Sequence, residues 1–193
     1  MSHKAIFAAI ACTIIAVGGC SIIANSNAPK SGQSNTTQVS QNTFVSKDGT
    51  VKISAPSSWE NTLKEENSGK YNLKLAERAK DLYLMVSSRE KVPGIKLDKI
   101  AEIGATGAKG AMENPKMERT KLTKVGAFPA VEYKLEGKAA GANIVMLVTS
   151  VETPNHFHMV MIGGAPNSFT ENQKTLQQIV QSFKEVKKTA SAQ

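Results

Sequence analysis

The sequence predicts an α+β domain built on a mostly antiparallel β-sheet with helices packed on it. Three observations lead there. Short strand-like segments follow one another without the regular strand–helix–strand alternation of a parallel sheet. Two of them, 143–151 and 156–162, face each other across Glu152-Thr153-Pro154-Asn155 as a hairpin. The chain then closes on a segment whose apolar residues recur at helical spacing.

Residues 43–45 and 50–53 read as two short strands around the turn Lys47-Asp48-Gly49. Pro56-Ser57-Ser58-Trp59 closes that unit, with Trp59 as a core plug rather than a ligand-stacking ring, and a polar loop runs on to Gly69. Tyr71, Leu73 and Leu75 alternate with Asn72, Lys74 and Ala76, the period of a half-buried strand. Residues 82–86 are continuously apolar and read as a central strand. Residues 97–112 read as a helix with Leu97, Ile100, Ala101, Gly104, Ala108 and Ala111 along one face. Gly104, Gly107 and Gly110 each cost such a helix up to about 1 kcal/mol against alanine. A stripe that narrow implies a helix lying close against a sheet, and Asn114-Pro115 ends it.

Four strands follow, at 117–122, 130–135, 143–151 and 156–162. The closing helix is expected over 169–187. Ser168 and Glu171 form its capping box, Leu176, Ile179, Val180 and Phe183 its buried stripe, and Lys184, Lys187 and Lys188 suit its carboxyl end. Met85, Met146, Met159 and Met161 fall within apolar runs and read as strand core.

Residues 1–20 read as a short targeting device. Lys4 supplies a positive end, and residues 5–17 are a nearly unbroken apolar run, short of the roughly 20 residues a bilayer span needs. The run ends in Val17-Gly18-Gly19-Cys20, which resembles the lipobox of bacterial lipoproteins. That resemblance implies cleavage before Cys20 and lipidation of its thiol, with the membrane as partner through the lipid anchor. Ser21 resembles the residue that sends such proteins to the outer membrane of Gram-negative bacteria. An uncleaved anchor is the competing reading, because Ile22-Ile23-Ala24 extends the apolar run past Cys20; Gly18, Gly19, Cys20 and Ser21 interrupt it there. Both readings export the rest of the chain.

The expected organisation is therefore a signal peptide over 1–19, a lipidated Cys20 with a Ser/Asn/Gln/Thr-rich tether to 43, one α+β domain over 44–187 and a tail over 188–193. Cys12 departs with the signal and Cys20 is acylated, so disulfides, cysteine metal sites and cysteine nucleophiles are excluded together. The formal net charge of +8 falls by one with Lys4. Nucleic acid is not an expected partner, given the compartment and the scatter of the basic residues. They read as a solvated exterior ahead of attraction to anionic lipid headgroups.

Within the domain, Phe44, Asp48-Gly49-Thr50-Val51-x-Ile53 and Pro56-x-x-Trp59 are similar to the opening of the PsbP-like and DcrB-like domains. Leu122-x-x-Val125-Gly126-x-Phe128-Pro129-Ala130-x-x-Tyr133, the later hairpin and Ile179-x-x-Ser182-Phe183 are similar too, so the resemblance spans 44–187. It implies an antiparallel sheet sandwiched by helices. The relatives include photosystem extrinsic subunits, a nuclear GTPase-binding factor and bacterial envelope lipoproteins, which mostly act in binding or assembly. No shared catalytic residues come with the fold.

The residues of the domain spell out no catalytic constellation. His156 and His158, two apart on an expected strand, point to one face as a pair of metal ligands would, with Glu152 or Glu132 as a third. The blander reading, a pair at the sheet margin, is preferred because Val160 and Ile162 continue that face. Residues 104–110 lack the Gly-Lys-Ser/Thr ending of a phosphate loop and read as helix packing. Ser88-Arg89-Glu90-Lys91 matches Ser-x-x-Lys by chance, without a Lys-Thr-Gly partner. Glu60, Glu65, Glu66, Glu77 and Asp81 are carboxylates that nothing pairs in sequence.

The expected function is non-enzymatic: an envelope lipoprotein that binds, or helps assemble, another envelope component, with no cofactor. The alternative is a carrier of a small apolar or lipid ligand. It needs a cavity above roughly 300 Å³ between helix 97–112 and the sheet, and the Gly/Ala stripe argues for close packing instead. A metal-dependent enzyme using His156 is third.

Overall fold

The computed structural model describes residues 40–63 and 69–186. The signal segment, Cys20, the tether as far as residue 39, Glu65, Glu66 and the tail lie outside the described residues.

Two antiparallel sheets form the scaffold. The smaller has the order β1-β2-β11, from β1 (Gln41–Val45), β2 (Val51–Pro56) and β11 (Lys184–Glu185). The larger comprises β3 (Glu60–Asn61), β4 (Leu73–Glu77), β5 (Leu82–Glu90), β6 (Glu113–Arg119), β7 (Lys124–Val125), β8 (Phe128–Ala139), β9 (Ala142–Glu152) and β10 (His156–Gly164). Its order is β3-β4-β5-β10-β9-β8-β6, with β7 paired to β8. Helix α1 (Leu97–Lys109) packs on one face of this sheet and α2 (Pro166–Gln181) on the other. The expected α+β class is met, and the small sheet is an addition to it.

The period-2 alternation of each strand divides the apolar residues between two cores. Leu82, Leu84 and Val86 of β5, with Val160 and Ile162 of β10, face α2 and the small sheet. There they meet Val51, Ile53, Trp59, Leu176 and Phe183. Full burial of such a side chain is worth about 1.5–3 kcal/mol each, so this face holds the fold together. Trp59 is 4% exposed and is the expected core plug. The other faces of β5, β9 and β10 present Met85, Met146, Met159 and Met161 to α1.

Several boundaries differ from expectation. β1 begins at Gln41, within the stretch read as tether, and β3 interrupts the expected polar loop. β5 is interior, but the centre of the seven-strand path is β10; Tyr83, in the apolar run of β5, is exposed. Helix α1 stops at Lys109, and Asn114-Pro115 does not end it: both lie in β6, which starts at Glu113. Asn114 takes a φ of 48° there. Ser168–Glu171 is not a capping box. Helix α2 starts three residues earlier than expected, at Pro166, whose fixed φ suits a first helical position and whose missing N–H costs nothing there. It ends at Gln181, and Lys184 belongs to β11.

Candidate functional site

Helix α1 covers its face of the sheet only in part. At Gly104 the helix lies against β10: a Cβ there would stand 2.7 Å from Met159 Sδ, and Ala101 and Ala105 beside it are buried. At Gly107 a Cβ would meet nothing within 4 Å. A groove of about 450 Å³ runs along the helix, from Ile103 and Gly104 to Ala111 and Met112, between it and the sheet. Its floor and walls are Met85, Met112, Met146, Met159 and Met161, five of the seven methionines in the chain. Ile103 stands at its edge, 49% exposed, and the cations Lys70 and Arg89 line it too. An adjoining recess of about 400 Å³ shares Met85, Ile144 and Met146 and ends at Tyr83. Unbranched, polarizable methionine side chains repack around different apolar partners at low cost. The expectation that the Gly/Ala stripe leaves no cavity is therefore corrected: Ala105, Ala108 and Met112 pack on the sheet, and the groove still opens beside them. A larger hollow of about 630 Å³ beside α2 is lined by charged residues of β6 and β8, where Lys134 Nζ pairs with Glu136 at 2.6 Å.

A polar cluster occupies the opposite face, where the small sheet meets β5 and β10. Asp48, in the β1–β2 turn, accepts from Ser46 Oγ at 2.6 Å, Thr50 Oγ1 at 2.9 Å and Thr50 N–H at 3.1 Å. Burial alone would raise its carboxyl; these donors outweigh that and hold it below the usual range. Asn72 Nδ2 donates to Asp48 Oδ2 at 2.7 Å. His158, fully buried, hydrogen-bonds Ser88 Oγ through Nδ1 at 2.9 Å and Thr153 Oγ1 through Nε2 at 3.3 Å. Burial pushes its pKa down to about 4, the neighbouring His156 adds to the effect, and Glu185 and Asp48 oppose it. His158 is therefore a neutral imidazole at physiological pH. The two rings stand 5.5 Å apart, and His156 Nδ1 is buried without a hydrogen bond, 3.7 Å from Glu185 Oε1.

The structure brings together His156 and His158 as expected, but neither carboxylate proposed to join them. Glu152 pairs with Lys91 Nζ at 2.5 Å, and Glu132 accepts from Thr120 Oγ1 at 3.0 Å and Thr149 Oγ1 at 2.8 Å. Glu185 takes that place instead. Ser88 binds His158 rather than a lysine, residues 104–109 are helical, and Glu60 pairs with Arg78. Cys20 lies outside the described residues. Asp48, Asn72, Thr153 and Glu185 escape sequence reasoning, although Asp48-Gly49 marks a turn.

No known family's sequence profile matches this chain, and no curated protein does. Solved structures do. Cyanobacterial PsbP (CyanoP) from Synechocystis sp. PCC 6803 superposes with a TM-score of 0.54 at 10% identity, over 80% of this chain and 98% of that one. LpqN of Mycobacterium tuberculosis, described as involved in cell envelope biogenesis, gives 0.54 at 11%, over 78% and 93%. A protein from Bacteroides thetaiotaomicron gives 0.53 at 12% over 76% of this chain, which spans 48% of that protein. At such identities the likeness is one of fold: a mostly antiparallel sheet with two helices and PsbP-like neighbours.

Proposed function

We propose that the chain is a non-enzymatic binding protein of the cell envelope, and that it engages another envelope component through the groove beneath α1. The observation carrying this reading is the methionine lining of an open cavity whose volume lies within the range of ligand sites. The compartment rests on Val17-Gly18-Gly19-Cys20. The envelope role described for LpqN is in keeping with it. Co-purification of the tagged full chain from detergent-solubilised membranes tests the reading, with Gly107→Phe as the comparison because Gly107 lines the groove and a Cβ there meets no neighbour. A partner recovered with the native chain and lost with the folded variant is the expected result. No reproducible partner, or equal recovery with both, contradicts it.

A second reading, a carrier of a small apolar or lipid ligand, is favoured by Lys70 and Arg89 in the same groove, two cations that suit an anionic headgroup above an apolar tail. Titration with dodecanoate followed by tryptophan-independent calorimetry checks it: saturable binding that Gly107→Phe abolishes supports a carrier, and no heat of binding counts against one.

A further inference from the structure

We propose that His156, His158 and Glu185 form a binding site for a divalent transition-metal ion of the zinc class, which would clasp the small sheet to β10 of the large one. One ring nitrogen of each histidine and one carboxylate oxygen of Glu185 lie within 4.8 Å of one another. Ligands bound at about 2.0–2.1 Å around a tetrahedral ion stand roughly 3.4 Å apart. The 3.7 Å between His156 Nδ1 and Glu185 Oε1 is already close to that separation, and small side-chain rotations bring in the rest.

Three features of the surroundings fit an ion. His156 Nδ1 is buried with no hydrogen-bond partner, a costly state that coordination would relieve. Each nitrogen of His158 has a hydroxyl beside it, Ser88 on one and Thr153 on the other. Whichever nitrogen meets the ion, the other keeps a partner that orients the ring. The side chain of His156 is 25% exposed and that of Glu185 13%, so the cluster lies close to the protein surface. Two imidazoles and a single carboxylate select the zinc class over magnesium or calcium, which take oxygen ligands. Glu185 arrives on β11 and the histidines on β10, so the ion would add a tie between two sheets already joined by apolar packing, the Asp48–Asn72 bond and the Lys47 N–H to Asn72 carbonyl bond. The site is on the face opposite the groove and does not depend on the reading of the groove.

The test is calorimetric titration of the metal-depleted full chain with zinc chloride, read alongside long-range ¹H–¹⁵N spectra of the imidazoles. The expected result is saturable binding that shifts ring-nitrogen signals of His156 and His158, raises Tm, and is absent with magnesium chloride. His156→Ala and Glu185→Gln should each weaken it by about 100-fold or more, and Ser88→Ala by about 10-fold. No saturable binding, or zinc binding unchanged in both ligand variants, overturns the proposal; the latter is what His3 or the cysteines would give. If a variant fails to fold by circular dichroism, the native chain decides, and His156 and His158 signals unmoved by zinc overturn it.

Discussion

Asn72 joins the small sheet to the large one through Asp48: its Nδ2 donates to the Asp48 carboxylate at 2.7 Å, while its Oδ1 accepts from the backbone N–H of Ser88 at 2.8 Å. One carboxamide thus ties the β1–β2 turn to β5. Replacing it leaves a part-buried N–H and a carboxylate oxygen each short of a partner. Asn72→Ala should cost about 1–3 kcal/mol, and Asn72→Asp more, because a second carboxylate would face Asp48. Urea denaturation measures this; an unchanged midpoint would contradict it.

The same turn gives a pH dependence. The Asp48 carboxyl is held below its unfolded value of about 3.9. The folded state therefore binds fewer protons than the unfolded state in that window. The stability Asp48 contributes is present at neutral pH and is lost as pH falls below about 4 towards the folded value. The Tm difference between the native chain and Asp48→Ala should be large at pH 7 and shrink by pH 3. A constant difference would show that the carboxylate is not the stabilising form.

Two glycines of α1 should respond with different signs or sizes. Gly107→Ala adds a methyl in open space and removes backbone freedom, so it should stabilise by up to about 1 kcal/mol. Gly104→Ala gains the same helix propensity but forces Met159 Sδ aside from 2.7 Å, so its net gain should be smaller or negative. Thermal unfolding of the pair decides. Equal stabilisation would mean that α1 is not seated on Met159.

Ser182 caps α2 and reaches across to β2. Its Oγ accepts from Ser54 N–H at 2.8 Å and lies within hydrogen-bond reach of the carbonyls of Ser54, at 3.0 Å, and Ile179, at 2.6 Å. Ser182→Ala should cost about 1–2 kcal/mol by leaving the Ser54 N–H unpaired. Faster amide exchange at Ser54 in that variant is the specific readout.

What the sequence reveals is what short-range patterning controls. The β9–β10 hairpin, the alternation of Leu73 and Leu75, and the stripe of Leu176, Ile179 and Val180 all appear where periodicity placed them. β10 reads as one apolar run because both of its faces are covered: Val160 and Ile162 on one side, Phe157 and Met161 on the other, are buried alike. The start of α2 is misread because Ser168 and Glu171 have the spacing of a capping box, while Pro166 sets the backbone a turn earlier.

The candidate sites are less legible because they depend on distant parts of the chain. β11 is two residues long, Lys184 and Glu185, with no pattern to mark it. Glu185 therefore cannot be matched to His156 from sequence, and the nearer Glu152 draws attention instead. The groove is hidden for another reason. Its lining residues Met85, Met112, Met146 and Met159 come together from β5, the α1–β6 connection, β9 and β10, which no local pattern links.

On the proposed reading, the face of the groove, and not the outer surface of α2, meets the chain's partner. Photo-crosslinking in intact cells tests it directly, with the reactive residue placed at Ile103 on the groove edge or at Glu171 on the exposed side of α2. The account predicts a reproducible adduct from position 103 and none from 171. Adducts from both alike, or from neither, would contradict it.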